Sequence, residues 1–97
     1  MATRSTSEDG GGEQALDRPQ LDDLDDGQYA RCRNPSKGLT WFVGSEHGVA
    51  VRYHELSGFG RSVIVLRSRA EASIAAAPEV DVVGRDAIDA AREAIGA

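Results

Sequence analysis

The sequence is poor in most of the residues that build a large core or a reactive centre. Aromatic side chains make up 5% of its 97 residues, with a single Trp (Trp41) and two each of Phe and Tyr. A length of 97 residues allows one domain at most, with a small core. Cys32 is the only cysteine, which excludes an internal disulfide and a thiolate-rich metal cage. The soft ligands that remain beside it are His47 and His54. Seven positions along an extended strand correspond to roughly 20 Å, too far for one ion to bridge them. No metal site and no cofactor are therefore expected. Runs of about 20 apolar residues, which a membrane-crossing helix requires, are missing. The first residues lack the apolar stretch of a secretory signal. The expectation is a cytoplasmic protein with no membrane association.

Enzyme motifs are lacking as well. Ser57-Gly58-Phe59-Gly60-Arg61 has the glycines of a phosphate cradle but not the strand–loop–helix setting or the Lys-Ser/Thr ending of a P-loop. His54 and Glu55 are adjacent on a strand and so point to opposite faces, which prevents them from acting as a dyad. A small enzyme using His54 with Arg52 is the weakest of the functional readings.

Charge is distributed unevenly. Residues 1–27 carry two arginines against eight carboxylates, residues 28–69 seven cations against two carboxylates, and residues 70–97 two arginines against six carboxylates. The first of these segments includes three consecutive glycines and the run Leu21-Asp22-Asp23-Leu24-Asp25-Asp26, and it has no aromatic residue. Such a composition buries too little apolar area to offset its ordering entropy. Residues 1–27 are expected to be a disordered acidic tail, with residues 28–97 forming the domain.

Within that domain the organising stretch is Leu39–Arg69, which holds the Trp, both Phe and most of the β-branched apolar residues. Strands are expected at Gln28–Arg33 (an edge strand), Leu39–Val43, Val49–Leu56 and Ser62–Arg67. Five-residue loops at Asn34–Gly38, Gly44–Gly48 and Ser57–Arg61 would join them. Short loops between successive strands favour an antiparallel meander. The four apolar residues Val63–Leu66 suggest a strand buried on both faces. Ser68 and Glu71 have capping-box spacing for a helix that Pro78 would end. Val80–Val83 reads as a short fifth strand or an extended connector. A second helix from about Arg85 to Ile95 carries Ile88, Ala91 and Ile95 on one stripe. The fold class is thus α+β: a four-stranded antiparallel β-meander, extendable to five, with two C-terminal helices on one face.

Symmetric pairing about the loops would set Trp41 opposite Val51 and Tyr53 opposite Val65. The helices would then cover Leu39, Trp41, Val43, Val49, Val51, Tyr53, Val63 and Val65. The other face would carry Phe42, Arg52, His54, Leu56, Ile64 and Leu66 and would stand open to solvent. An uncovered apolar face of that kind marks an interaction site, so these six residues are the candidate surface for self-association or a protein partner. The rival reading is a nucleic-acid binder in which Arg31, Arg33, Arg52, Arg67 and Arg69 contact phosphates.

Overall fold

The computed structural model describes residues 18–96. The expected disorder of residues 1–17 lies outside the described residues. Strands β1 (Gln28–Asn34), β2 (Leu39–Glu46), β3 (Val49–His54), β4 (Val63–Ile64) and β5 (Glu79–Gly84) alternate at the C-terminal end with helices α1 (Arg67–Ala76) and α2 (Arg85–Gly96). The five strands form one antiparallel sheet in the order β4-β3-β2-β1-β5. The α+β class and the meander are therefore as the sequence indicates, and Val80–Val83 lies inside a full fifth strand. That strand takes the place beside β1. Gln28–Arg33, expected at an edge, is in the sheet interior with a neighbour on each side.

The registers differ from symmetric pairing by three residues. Trp41 lies opposite His54, Phe42 opposite Tyr53 and Gly44 opposite Val51. The cause is the turn. Only His47 and Gly48 connect β2 to β3, both with positive φ (54° and 80°), which is the geometry of a tight hairpin turn with the twist of its strands. Gly44 is not a turn residue but lies mid-strand, opposite Tyr29. Because the shift is odd, it exchanges the faces of β3 relative to those of β2. A second shift of three separates β3 from β4, where Val51 lies opposite Ile64. Here the connection is longer than five residues. It includes a 3-10 turn at Glu55–Ser57 and Phe59 at φ 56°, with the Phe59 ring buried.

Two cores result, one on each side of the sheet. On one side, small residues of the strands (Ala30, Cys32, Val43 and Ala50) meet Ala70, Ile74 and Ala77 at α1 and its C-terminal end. On the other, Tyr29, Phe42, Val51 and Tyr53 meet Phe59 and Ile88 of α2. The expectation that both helices share one face is corrected: each face carries an apolar set, and each needs a cover. Strand β5, at the sheet edge, carries the chain from one side to the other. Ala-rich α1 can approach the small-residue face closely, while α2 inserts Ile88 among the rings. The expected capping box at Ser68 and Glu71 does not form, because α1 begins two residues earlier with Leu66 at its N-cap.

The acidic segment also contributes to the core. A 3-10 turn at Leu21–Asp23 places Leu21 and Leu24 in the α1-side cluster, with the intervening carboxylates in solvent. Arg18 Nη1 donates to the carbonyls of Ile74 (2.7 Å) and Ala77 (2.5 Å), capping the negative end of α1. Arg18, Leu21 and Leu24, expected in the tail, therefore pack with the rest of the fold. The two leucines, three residues apart, are the signal that net charge obscures.

Candidate functional site

The six residues expected on one open face are dispersed. Phe42 is 1% exposed and packs edge-on against Phe59 at 5.3 Å between ring centroids. Arg52 and His54 are half-buried and lie on the opposite, α1 side of the sheet. The His54 ring stacks on Trp41 (6.0 Å between centroids, 6° between planes). Its Nδ1 accepts a hydrogen bond from the Leu56 backbone N–H at 3.1 Å, so the side chain caps the 3-10 turn that follows. Burial and, after it, the nearby Arg52 charge hold its pKa below the usual histidine value. Arg52 Nη1 donates to Ser73 Oγ, and Trp41 Nε1 to the Ser73 carbonyl, so both side chains hold α1 on the sheet. Neither arrangement leaves His54 and Arg52 facing a common reaction space. Leu56, Ile64 and Leu66 do stand in solvent, at 82%, 73% and 73% exposure.

The basic residues are also largely engaged. Arg31 forms a two-pronged pair with Asp81 (3.1 and 2.5 Å), Arg33 pairs with Glu79 at 3.3 Å, and Arg67 pairs with Asp22. Of the five arginines proposed for phosphate, only Arg52 and Arg69 have no carboxylate partner among the described residues.

A polar cluster that the sequence gives no sign of gathers where β2, β3 and the start of α2 meet. The hydroxyls of Tyr29 and Tyr53 both donate to Glu46 Oε2, at 2.6 and 2.7 Å. Arg85 Nη1 donates to Tyr53 Oη at 2.7 Å, and its guanidinium lies 5.1 Å from the centre of the Tyr53 ring. Burial, then the bond to Glu46, pushes the Tyr29 phenol up to about 12. Burial alone would raise the Glu46 carboxyl, but the two tyrosine hydroxyls and Arg85 outweigh it and hold the pKa below the usual range. A shallow cleft of about 340 Å³ borders this cluster, lined by Asp26, Tyr29, Glu46, His47 and Arg85. Tyr29, Glu46, Tyr53 and Arg85 bond to one another, and their effect is to fasten α2 to the β2–β3 hairpin. No three His, Cys, Asp or Glu side chains come together as a metal site among the described residues. Nor is any described helix long and apolar enough to cross a membrane.

Among the described residues, no strand pairs with the outer side of β4. Val63, Ile64 and Leu66 are exposed, as is Val49, which lies across from Leu66 when the β3–β4 register is continued. The hydrogen-bond phase of the edge follows from one contact. Val65 N–H donates to the Ala50 carbonyl at 3.0 Å, so Val65 and Val63 bond inward to β3. In an antiparallel ladder the phase alternates, which turns the N–H and C=O of Ile64 outward. Carried through the continuous registers across the sheet, the same alternation makes residues 29, 31 and 33 bond to β5. The N–H and C=O groups of Val80 and Val82 then point outward at the opposite edge. Comparison with protein-family models, with curated proteins and with solved structures gives no match for this chain.

Proposed function

We propose that this protein is a small non-enzymatic interaction module that joins another polypeptide to its sheet along the β4 edge. The surface is thus the rim at Ile64 and Leu66 rather than a whole sheet face. The observation that supports it is the coincidence, at one place, of an unpaired backbone edge and large apolar side chains. Monomeric proteins usually blunt such edges with charge, proline or a covering segment. Val63-Ile64-Val65-Leu66 contains no charge and no proline, and no described strand pairs with its outer side, so the shortness of β4 is its main protection. Edge addition provides affinity through main-chain bonds and specificity through alternate side chains. Nucleic-acid binding is the less favoured reading, because Arg31, Arg33 and Arg67 would first have to leave carboxylate partners.

An alternating Val-Glu hexapeptide titrated into isotope-labelled protein tests this. The amide signals of residues 62–66 are expected to move, while those of β1 and β2 stay fixed. Ile64→Pro removes an outward N–H and no bond to β3, and it should abolish the response. Shifts confined to other surfaces, or binding unaffected by Ile64→Pro, would overturn the proposal.

A further inference from the structure

We infer that residues 18–24 form a releasable strap that holds α1, and through α1 the β4 rim, in the arrangement that accepts another strand. The inference rests on the interaction reading above and adds the regulation of that site.

The strap is attached by side chains alone. Among the described residues, its backbone hydrogen bonds (Asp23 N–H to the Gln20 carbonyl, Leu24 N–H to the Leu21 carbonyl) close within the segment, and none reaches the sheet or α1. Its ties to the rest are the buried side chains of Leu21 and Leu24, the Arg18 bonds to the Ile74 and Ala77 carbonyls, and the Asp22–Arg67 pair. That pair is solvent-exposed and adds little energy, but it sets Asp22 beside the residue that follows the rim. The ties thus grip α1 at both ends, Arg67 being its first residue and Ala77 its C-cap.

Otherwise α1 has little to hold it. Apart from Val43 and Ile74, the other buried residues of its cluster are alanines and Cys32. Trp41 and Arg52 add one hydrogen bond each, both to Ser73. Stabilisation by burial follows apolar area, so the two leucines supply a large share of what docks this helix. The α2 side keeps its rings and the Tyr53–Arg85 bond whether or not the strap is in place. Elements with few buried contacts open without global unfolding, and α1 without its strap is such an element.

The rim depends on the same cluster. Val65 packs against it from β4. Leu66 is the N-cap of α1, and its carbonyl accepts the Ala70 N–H at 2.9 Å. A strand of two residues has few bonds of its own to β3, so it frays when α1 and the seat of Val65 are lost. Strap docked with rim ordered is one state, and strap released with rim frayed is the other. A strand that binds only the ordered rim must in turn hold the strap down, because coupling between sites is reciprocal.

The lone thiol reports which state is present. Cys32 is 0% exposed in the α1-side cluster, and burial pushes its thiol up to about 12, so a thiol reagent modifies it only in opened molecules. In the full-length protein, Arg18→Ala should speed modification of Cys32 by an aromatic disulfide about tenfold or more, since two hydrogen bonds from a charged group are lost. Leu24→Ala should act in the same direction. Exchange of the β2 amides, which are paired on both sides, should rise far less in either variant. Saturating Val-Glu peptide should slow Cys32 modification of the wild type several-fold, and Arg18→Ala should bind that peptide more weakly. The wild-type measurement needs no variant and stands if one fails to fold.

Cys32 modification and β2 exchange that accelerate equally would mean that the strap leaves only when the whole protein unfolds, and would overturn the inference. Peptide that binds at β4 yet leaves the Cys32 rate unchanged would also overturn it, with the interaction reading intact. A chain that ignores the peptide would overturn both.

Discussion

Phe42→Ala is expected to cost about 4 kcal/mol of stability at 25 °C. The Phe42 ring is the centre of the α2-side core: its edge meets Phe59, and Val51, Tyr53 and Ile88 belong to the same cluster. Truncating a buried Phe to Ala typically costs about 3–5 kcal/mol, because lost transfer energy is joined by the cavity left behind. Here the cavity would not collapse easily. The sheet fixes one wall, and the Glu46–Tyr53–Arg85 hydrogen bonds hold α2 as the other. A domain of about 80 residues has a total stability of roughly 4–12 kcal/mol, so the loss is a large fraction of it. Urea denaturation followed by Trp41 fluorescence measures this directly. Since Trp41 belongs to the α1-side cluster, its signal also reports whether the two cores unfold together. Had Phe42 lain on an open face, as the sequence pattern suggests, the same substitution would have changed stability little and binding much.

Gly44→Ala is expected to cost about 3 kcal/mol, near the upper end for overpacking a well-filled site. A Cβ at position 44 would lie 2.6 Å from Tyr29 Cδ2 and 2.8 Å from the Gln28 carbonyl oxygen. The ring could turn aside only by giving up its hydroxyl bond to Glu46, and the carbonyl belongs to the neighbouring strand β1. Tyr29 lies across the glycine and reaches Tyr53 at 6.0 Å between ring centroids, so the missing side chain is what lets the two rings meet. Thermal denaturation should show a lowered midpoint for Gly44→Ala. Gly38→Ala serves as the comparison, because it meets no atom within 4 Å and strains only a turn at φ 65°. Equal losses at the two positions would mean that the close approach at Gly44 has no energetic weight.

These two residues also show what the sequence makes legible. Strand positions are readable because β-branched and aromatic residues cluster between Gly, Pro and Asn. Register is not, because it depends on whether a glycine turns the chain or makes room inside a strand. Gly44 and Gly48 look alike in sequence, yet only Gly48 has the positive φ of a turn. Reading both as turn residues misplaces β3 by three positions and so exchanges the faces of Val51 and Tyr53 with those of Arg52 and His54, while Phe42 is buried because α2 covers the face expected to be open. The same limit applied at Leu21 and Leu24, where eight carboxylates in 27 residues conceal two core side chains. Strand β4 failed for a different reason. Four consecutive apolar residues suggest burial on both faces, but in a strand two residues long at the sheet edge Val63, Ile64 and Leu66 remain exposed and only Val65 packs against the core. The part of the candidate surface that persists (Leu56, Ile64 and Leu66) is the part whose exposure does not depend on register.

Helices cover both sheet faces, and among the described residues nothing pairs with the outer backbone of β4. Amide hydrogen exchange at residues 63–65, on dilute protein, tests that claim most directly. Val63 and Val65 should exchange slowly, held by β3, while the Ile64 amide between them exchanges as a free group. With the Val-Glu peptide added, Ile64 should gain protection and its neighbours should change little. A slow Ile64 amide at high dilution would mean that the edge is already occupied within one chain, and the account would be wrong.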